Sequence, residues 1–262
     1  MNMTTRYIGC ISAKGGVGKT TTTINLAAAL TYFGKNVTIL DANLTTPNVG
    51  IYLGNPIAPI TLHDVLRGKH DIKEAVFSHK SGLKAVLASI SLKDAKKVDT
   101  TKLAKAIYGL EGTADIVLVD GAAGLGKEPQ SAIKAVEEVI IVTNPEMPAV
   151  TDALKTIKLC KEMGKQVLGV VVTKTNSKNA DMSLKDIENL LETNIIGVIP
   201  EDRAIKFSQA NKETVVHRHP KSAAAVQYKH LAADMLGMSY HESVETNDGF
   251  VNFVMKYLGF KD

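Results

Sequence analysis

Residues 12–21 read SAKGGVGKTT, two lysines bracketing three glycines with two hydroxyls behind them. This set of residue types suits the holding of a polyphosphate. Gly15, Gly16 and Gly18 let the backbone curl around Val17, so that successive N–H groups point inward at phosphate oxygens. A helix opening near Lys19 adds its dipole and its free N–H groups. Lys19 reaches the β- and γ-phosphates as a point charge, and the Thr20 hydroxyl, with Thr21 beside it, is placed to ligate Mg²⁺. The expected ligand is a nucleoside triphosphate, ATP with Mg²⁺. The strict pattern GxxxxGK[ST] fails, because Ala13 stands at its first glycine. An ordinary glycine-rich turn would explain neither the Lys19–Thr20 pair nor the early lysine, Lys14.

Such a loop needs a strand before it and a helix after it. Apolar, β-rich runs occur at 7–12, 36–40, 83–88, 115–120, 139–143, 167–173 and 195–199. Several are apolar at nearly every position, as strands covered on both faces should be. Helix-length segments lie at 20–33, 101–110, 128–136, 149–163, 182–191 and 221–236, and Gly34, Gly109 and Gly164 fall where helices would end. The alternation predicts an α/β fold with a doubly wound, mostly parallel sheet and right-handed crossovers, the ligand sitting at the C-terminal strand ends.

With Lys14 included, KGGVGKTT resembles the deviant phosphate loop of the MinD/ParA family of P-loop ATPases, and the likeness covers roughly residues 6–236, closest to the MinD branch. The resemblance implies an ATPase that dimerises on binding ATP. In that family the lysine at the place of Lys14 crosses the dimer interface to the phosphates held by the other subunit. The strand ADIVLVD, ending at Asp120, looks like the Walker B strand, whose aspartate holds Mg²⁺ through water. GAAGLG after it resembles switch II, often DxPAG; Ala122 replaces the proline, so a looser turn is expected. VTNPEMPAVTD at 142–152 and IIGVIPED at 195–202 also match, and the family places residues like Pro200 and Asp202 beside the adenine. Switch I reads LDANLTTPNV at 40–49. Asp41 keeps the first aspartate of the family's DxD, and Asn43 stands at the second, which relatives use in water activation. Asn keeps a carbonyl acceptor but loses the negative charge, so slow hydrolysis is expected.

The C-terminus changes character. Residues 1–237 are expected to form the ATPase domain, 238–248 a polar linker, and 249–262 a separate amphipathic helix. At ~100° per residue, Phe250, Phe253, Val254, Tyr257 and Leu258 fall on one apolar arc with Val251, Met255 and Phe260. That arc suits an anionic membrane surface, and MinD proteins carry a similar tail. Its other reading is a terminal helix docked on the protein's own core.

Composition sets the remaining bounds. A chain of 262 residues with 45% hydrophobic and 22% charged residues is globular, and a net charge of +4 permits but does not demand an anionic partner. The N-terminus lacks the apolar stretch of a secretory signal, so a cytoplasmic protein, peripheral at the membrane, is expected. The basic runs at Lys93, Lys96, Lys97, Lys102 and Lys105, and at His217, Arg218, His219 and Lys221, read as solvated faces, and interleaved acidic residues argue against nucleic acid. Four functions are compatible with the resemblance: a membrane-binding switch with a protein partner that positions cell-division or other polar machinery, a ParA-like DNA-segregation ATPase, a slow-hydrolysing scaffold, and an iron–sulfur carrier. The two cysteines, Cys10 and Cys160, form no CxxC, which argues against the last.

Overall fold

Eight strands form one sheet among the described residues, which are 4–95, 98–175 and 181–242 of a computed structural model. They are β1 (Arg6–Ser12), β2 (Val37–Ala42), β3 (Val76–Ser78), β4 (Lys84–Val86), β5 (Ile116–Ala123), β6 (Glu138–Thr143), β7 (Gln166–Thr173) and β8 (Ile195–Ile199), in the spatial order β3-β4-β2-β5-β1-β6-β7-β8. All neighbours pair in parallel except β3 with β4 at one edge. The central strands are buried along almost their whole length, β2 at every position, because helices cover both faces.

The two faces carry separate cores. One holds the helix Lys19–Tyr32 and the helix Ala223–Met235, packed on Ile8, Ile39 and Leu118. The other holds helices Lys127–Lys134, Met147–Glu162 and Leu184–Leu191, packed on Val117, Val119 and Val170. Helix Lys19–Tyr32 is buried nearly all round, its polar first turns included: Ile24, Leu26 and Leu30 are fully buried, each stabilising the fold by about 1.5–3 kcal/mol. It stops at Gly34, whose φ of 80° is the left-handed conformation that ends helices.

Three expectations change. The segment 101–110 is not one helix but a 3₁₀ turn (Thr100–Lys102), a short α-helix (Leu103–Ile107) and a second 3₁₀ turn (Tyr108–Leu110). Gly109 lies inside that last turn, where an added Cβ would meet Ile72 Cγ2 at 2.7 Å, so it is there for close approach rather than to end a helix. Switch II is not a turn at Ala122: β5 runs on through Ala123, pairing Gly121 with Ala42 and Ala123 with Ser12, and the irregularity there is a register shift against β1 between Cys10 and Ser12. Alanine has the backbone N–H that proline lacks, so the strand has no reason to stop. The tail residues Phe250, Phe253, Val254, Tyr257 and Leu258, and Lys96 and Lys97, lie outside the described residues.

Candidate functional site

The segment 13–18 joins the end of β1 to the helix Lys19–Tyr32, and Gly16 (φ 80°) and Gly18 (φ 89°) supply left-handed turns that an L side chain resists. The Val17 side chain is buried beneath the loop, and the Val17 carbonyl accepts from Thr173 Oγ1 at the end of β7. From the next residue, Lys174 donates its Nζ to the Gly16 carbonyl at 2.8 Å. The end of β7 therefore holds the loop in its curl. A cavity of about 710 Å³ opens over it, lined by Lys14, Gly15, Gly16, Gly18, Lys19, Thr20 and Thr21 on one side.

Behind the loop sit two buried carboxylates. Asp120 accepts from Lys19 Nζ at 2.7 Å, from Thr20 Oγ1 at 2.7 Å and from Thr23 Oγ1 at 3.0 Å. Asp41 lies directly across the β2–β5 ladder from it. Burial and the neighbouring Asp120 push the Asp41 carboxyl up to about 7, against the amide hydrogen bonds that favour its charged form. Those amides are Asn43, Asn48 and Val49, which donate at 3.2, 3.1 and 3.0 Å. Asp41 thus roots switch I rather than facing the cavity.

Asn43 does line the cavity, but its side chain is used at both ends. Its Nδ2 donates to the Thr46 carbonyl at 2.6 Å, and its Oδ1 accepts from Thr46 N at 3.2 Å and Thr46 Oγ1 at 3.1 Å. This is the local Asx geometry that a short amide forms readily in a turn. The turn is tied to two other elements. His63, fully buried, bridges the Leu44 carbonyl and Ser89 N, and Glu128 takes the Thr45 amide and hydroxyl.

Lys14 stands at the rim. Its Nζ lies 2.7 Å from Glu146 Oε2, both side chains being half-exposed at 39% and 31%, and Asn144 Nδ2 donates to the other Glu146 oxygen at 2.6 Å. The hydrogen bond from Lys14 holds the Glu146 carboxyl below its ordinary range. The far wall carries Pro200 and Asp202, and Asp202 caps two helices at once, accepting from Ala204 N at 2.8 Å and Ala224 N at 3.1 Å. Asn25 ties that wall to the phosphate-loop helix, donating to Tyr52 Oη and accepting from Val215 N.

A family model described as ParA, NUBPL iron-transfer P-loop NTPase, matches residues 3–236. The chain belongs to the ParA family of P-loop NTPases. Among family relatives, an uncharacterised ATP-binding protein of Methanocaldococcus jannaschii is 35% identical over 251 residues, 96% of this chain and 94% of its own length. Two solved structures share the fold closely. The septum site-determining protein MinD of Pyrococcus horikoshii, complexed with Mg-ADP, has a TM-score of 0.85 at 33% identity, covering 88% of this chain and 96% of its own. The cell division ATPase MinD of Pyrococcus furiosus has a TM-score of 0.86 at 32% identity, covering 91% and 100%.

In this ParA-family chain the structure brings the sequence-predicted Lys14, Gly15, Gly16, Gly18, Lys19, Thr20, Thr21, Asn43, Pro200 and Asp202 to one cavity. Val17, Asp41 and Asp120 stand behind its wall. Sequence reasoning missed Thr45, Glu128, Glu146, Thr173 and Lys174. Glu146 sits inside the matching segment VTNPEMP, which was the one signal available for it.

Proposed function

We propose that this chain is a MinD-like ATPase whose ATP-bound form is a homodimer that binds a membrane surface and a protein partner. The observation that carries the reading is the convergence of Lys19 Nζ and Thr20 Oγ1 on Asp120, at 2.7 Å each, beneath a glycine loop. The donor set fits Mg²⁺: a hydroxyl and a carboxylate are the hard oxygen ligands that this ion takes. Thr20 would hold it directly and Asp120 through water, and the ion would neutralise charge on the phosphate oxygens. Lys19 exchanges Asp120 for those oxygens when ATP enters. Lys14 leaves Glu146, a half-exposed and easily exchanged pair, for the phosphates of the second copy. Hydrolysis adds water oxygen to the γ-phosphorus, breaks the bond to the bridging oxygen, which leaves with its electron pair on ADP, and leaves both water protons on the released phosphate. The dimer then resets.

The tied amide of Asn43 supports slow turnover, since it neither carries charge nor has an unused end. Replacing Asn43→Asp sets a carboxylate oxygen against the Thr46 carbonyl and releases that one oxygen toward the cavity, while the other still accepts from Thr46 N and Oγ1. Steady-state turnover is expected to rise several-fold with ADP affinity unchanged; a rate no higher than the parent's, with dimerisation intact, contradicts the slow-cycle reading.

The apolar arc at the C-terminus supports membrane attachment through two tails of one dimer, since one short helix binds lipid weakly. No described helix is long and apolar enough to cross a membrane. The expected result is sedimentation with anionic vesicles in Mg·ATP but not Mg·ADP, lost on truncation after Asp248. Equal pelleting of the truncated chain rules the tail out. Retention on DNA instead would favour the segregation reading, against which stands Arg218, paired with Glu213 at 2.8 Å and stacked over Phe207. The iron transfer in the family description finds no support in the thiols. Cys10 and Cys160 lie on different elements, and burial pushes them up to about 12 and about 11.

A further inference from the structure

Glu128 has no place in the chemistry above, yet it makes a two-point contact on the cavity wall. It lies in the first turn of the helix Lys127–Lys134, immediately after switch II, where a carboxylate also complements the helix dipole. Its Oε1 accepts from Thr45 N at 3.0 Å and its Oε2 from Thr45 Oγ1 at 2.6 Å. Thr45 is part of the turn that Asn43 and Thr46 close, and all four residues line the cavity above the phosphate loop.

Switch I is therefore held at two places of different kind. Its root is fixed in the core, by Asp41 on three amides and by His63 on the Leu44 carbonyl. Its tip is held from the cavity side by Glu128, a half-buried carboxylate gripping a backbone donor and a hydroxyl of one residue. A charged acceptor makes such bonds shorter and stronger than neutral ones. The grip joins switch I to the helix that begins where switch II ends.

We propose that Glu128 is a positioning residue for ATP hydrolysis, setting switch I over the phosphate loop through Thr45. The proposal rests on the ATPase reading above. With the Asn43 amide used inside the turn, the turn contributes through where its groups stand, and Glu128 sets that place. Phosphoryl transfer depends mostly on positioning, and a displacement of about 1 Å costs about 100-fold in rate.

The test is steady-state Mg·ATP turnover by the full chain carrying Glu128→Ala, Glu128→Gln, Thr45→Val, or Glu128→Ala with Thr45→Val. Glu128→Ala is expected to lower kcat by about 10- to 100-fold with KM within about three-fold. Glu128→Gln keeps most of the rate, because its amide accepts from Thr45 N–H and donates to the hydroxyl oxygen. The double variant is no slower than Glu128→Ala alone. A Glu128→Ala rate equal to or above the parent's overturns the proposal. So does Glu128→Gln falling as far as Glu128→Ala with loss of the acid limb of the pH–rate profile, which would make Glu128 a proton acceptor. Absence of turnover in the parent would instead sink the ATPase reading. Amide hydrogen exchange then judges the clasp: faster exchange at Thr45 in Glu128→Ala upholds it, and unchanged exchange overturns it.

Discussion

Replacing Lys19→Ala is expected to weaken Mg·ATP binding by a factor of about 100 to 1,000, the largest single-residue effect in the molecule. Lys19 is the cation buried at the base of the loop, its side chain 8% exposed and the Asp120 side chain 0%. Truncating one partner of a buried, hydrogen-bonded charge pair costs about 2–5 kcal/mol, and each 1.4 kcal/mol is tenfold in affinity. The nucleotide-free protein responds as well. Asp120 keeps the Thr20 and Thr23 hydroxyls but loses its cation, with the Asp41 carboxyl across the ladder. Leaving a buried charge uncompensated destabilises a fold by about 3–5 kcal/mol. Titration of fluorescent ATP with parallel urea melts separates the two effects. Lys19→Met, which refills the space without the charge, is expected to fold better than Lys19→Ala and to bind no better. Parent-like affinity in either folded variant would remove Lys19 from the site.

Lys14→Ala is expected to do something different: to leave ATP binding within about three-fold of the parent and to abolish the ATP-induced dimer. The distinction follows from position. Lys14 sits at the rim with its ammonium on Glu146, and a half-exposed pair of this kind contributes roughly 0–1 kcal/mol to the fold. Its removal therefore costs the single chain little. Across an interface the same ammonium would meet phosphate charge in a water-poor setting, where such contacts are worth several kcal/mol. Equilibrium binding and light scattering on one sample in Mg·ATP give both readouts. A Lys14→Ala chain that binds ATP and still dimerises contradicts the interface role.

How much of this was legible beforehand depends on sequence distance. The phosphate loop is local: glycines, lysines and threonine are consecutive, and the strand and helix that present them are adjacent in the chain. Asp120 was legible because it follows an unbroken apolar run, Ile116–Val119. Glu146, Lys174 and Glu128 were not, because each acts on a partner 132, 158 or 83 positions away. A lone Glu or Lys, in a loop or in a helix's first turn, carries no mark of such a partner. The helix Arg203–Ala210 was missed for another reason. Its core side is Ala204 and Ile205, partly buried, with Ser208, so eight residues leave an apolar stripe too short to read. Asn43 stands out in the sequence as a departure from an acidic pattern, yet its engagement with Thr46 is a conformational fact that composition does not carry.

In the proposed cycle, nucleotide state sets the number of chains in the working unit. The direct measurement is the sedimentation mass of the parent chain in Mg·ATP and in Mg·ADP at equal protein concentration. A mass that doubles in ATP and returns to the monomer value in ADP is expected. A monomer in both, with ATP bound, would contradict it.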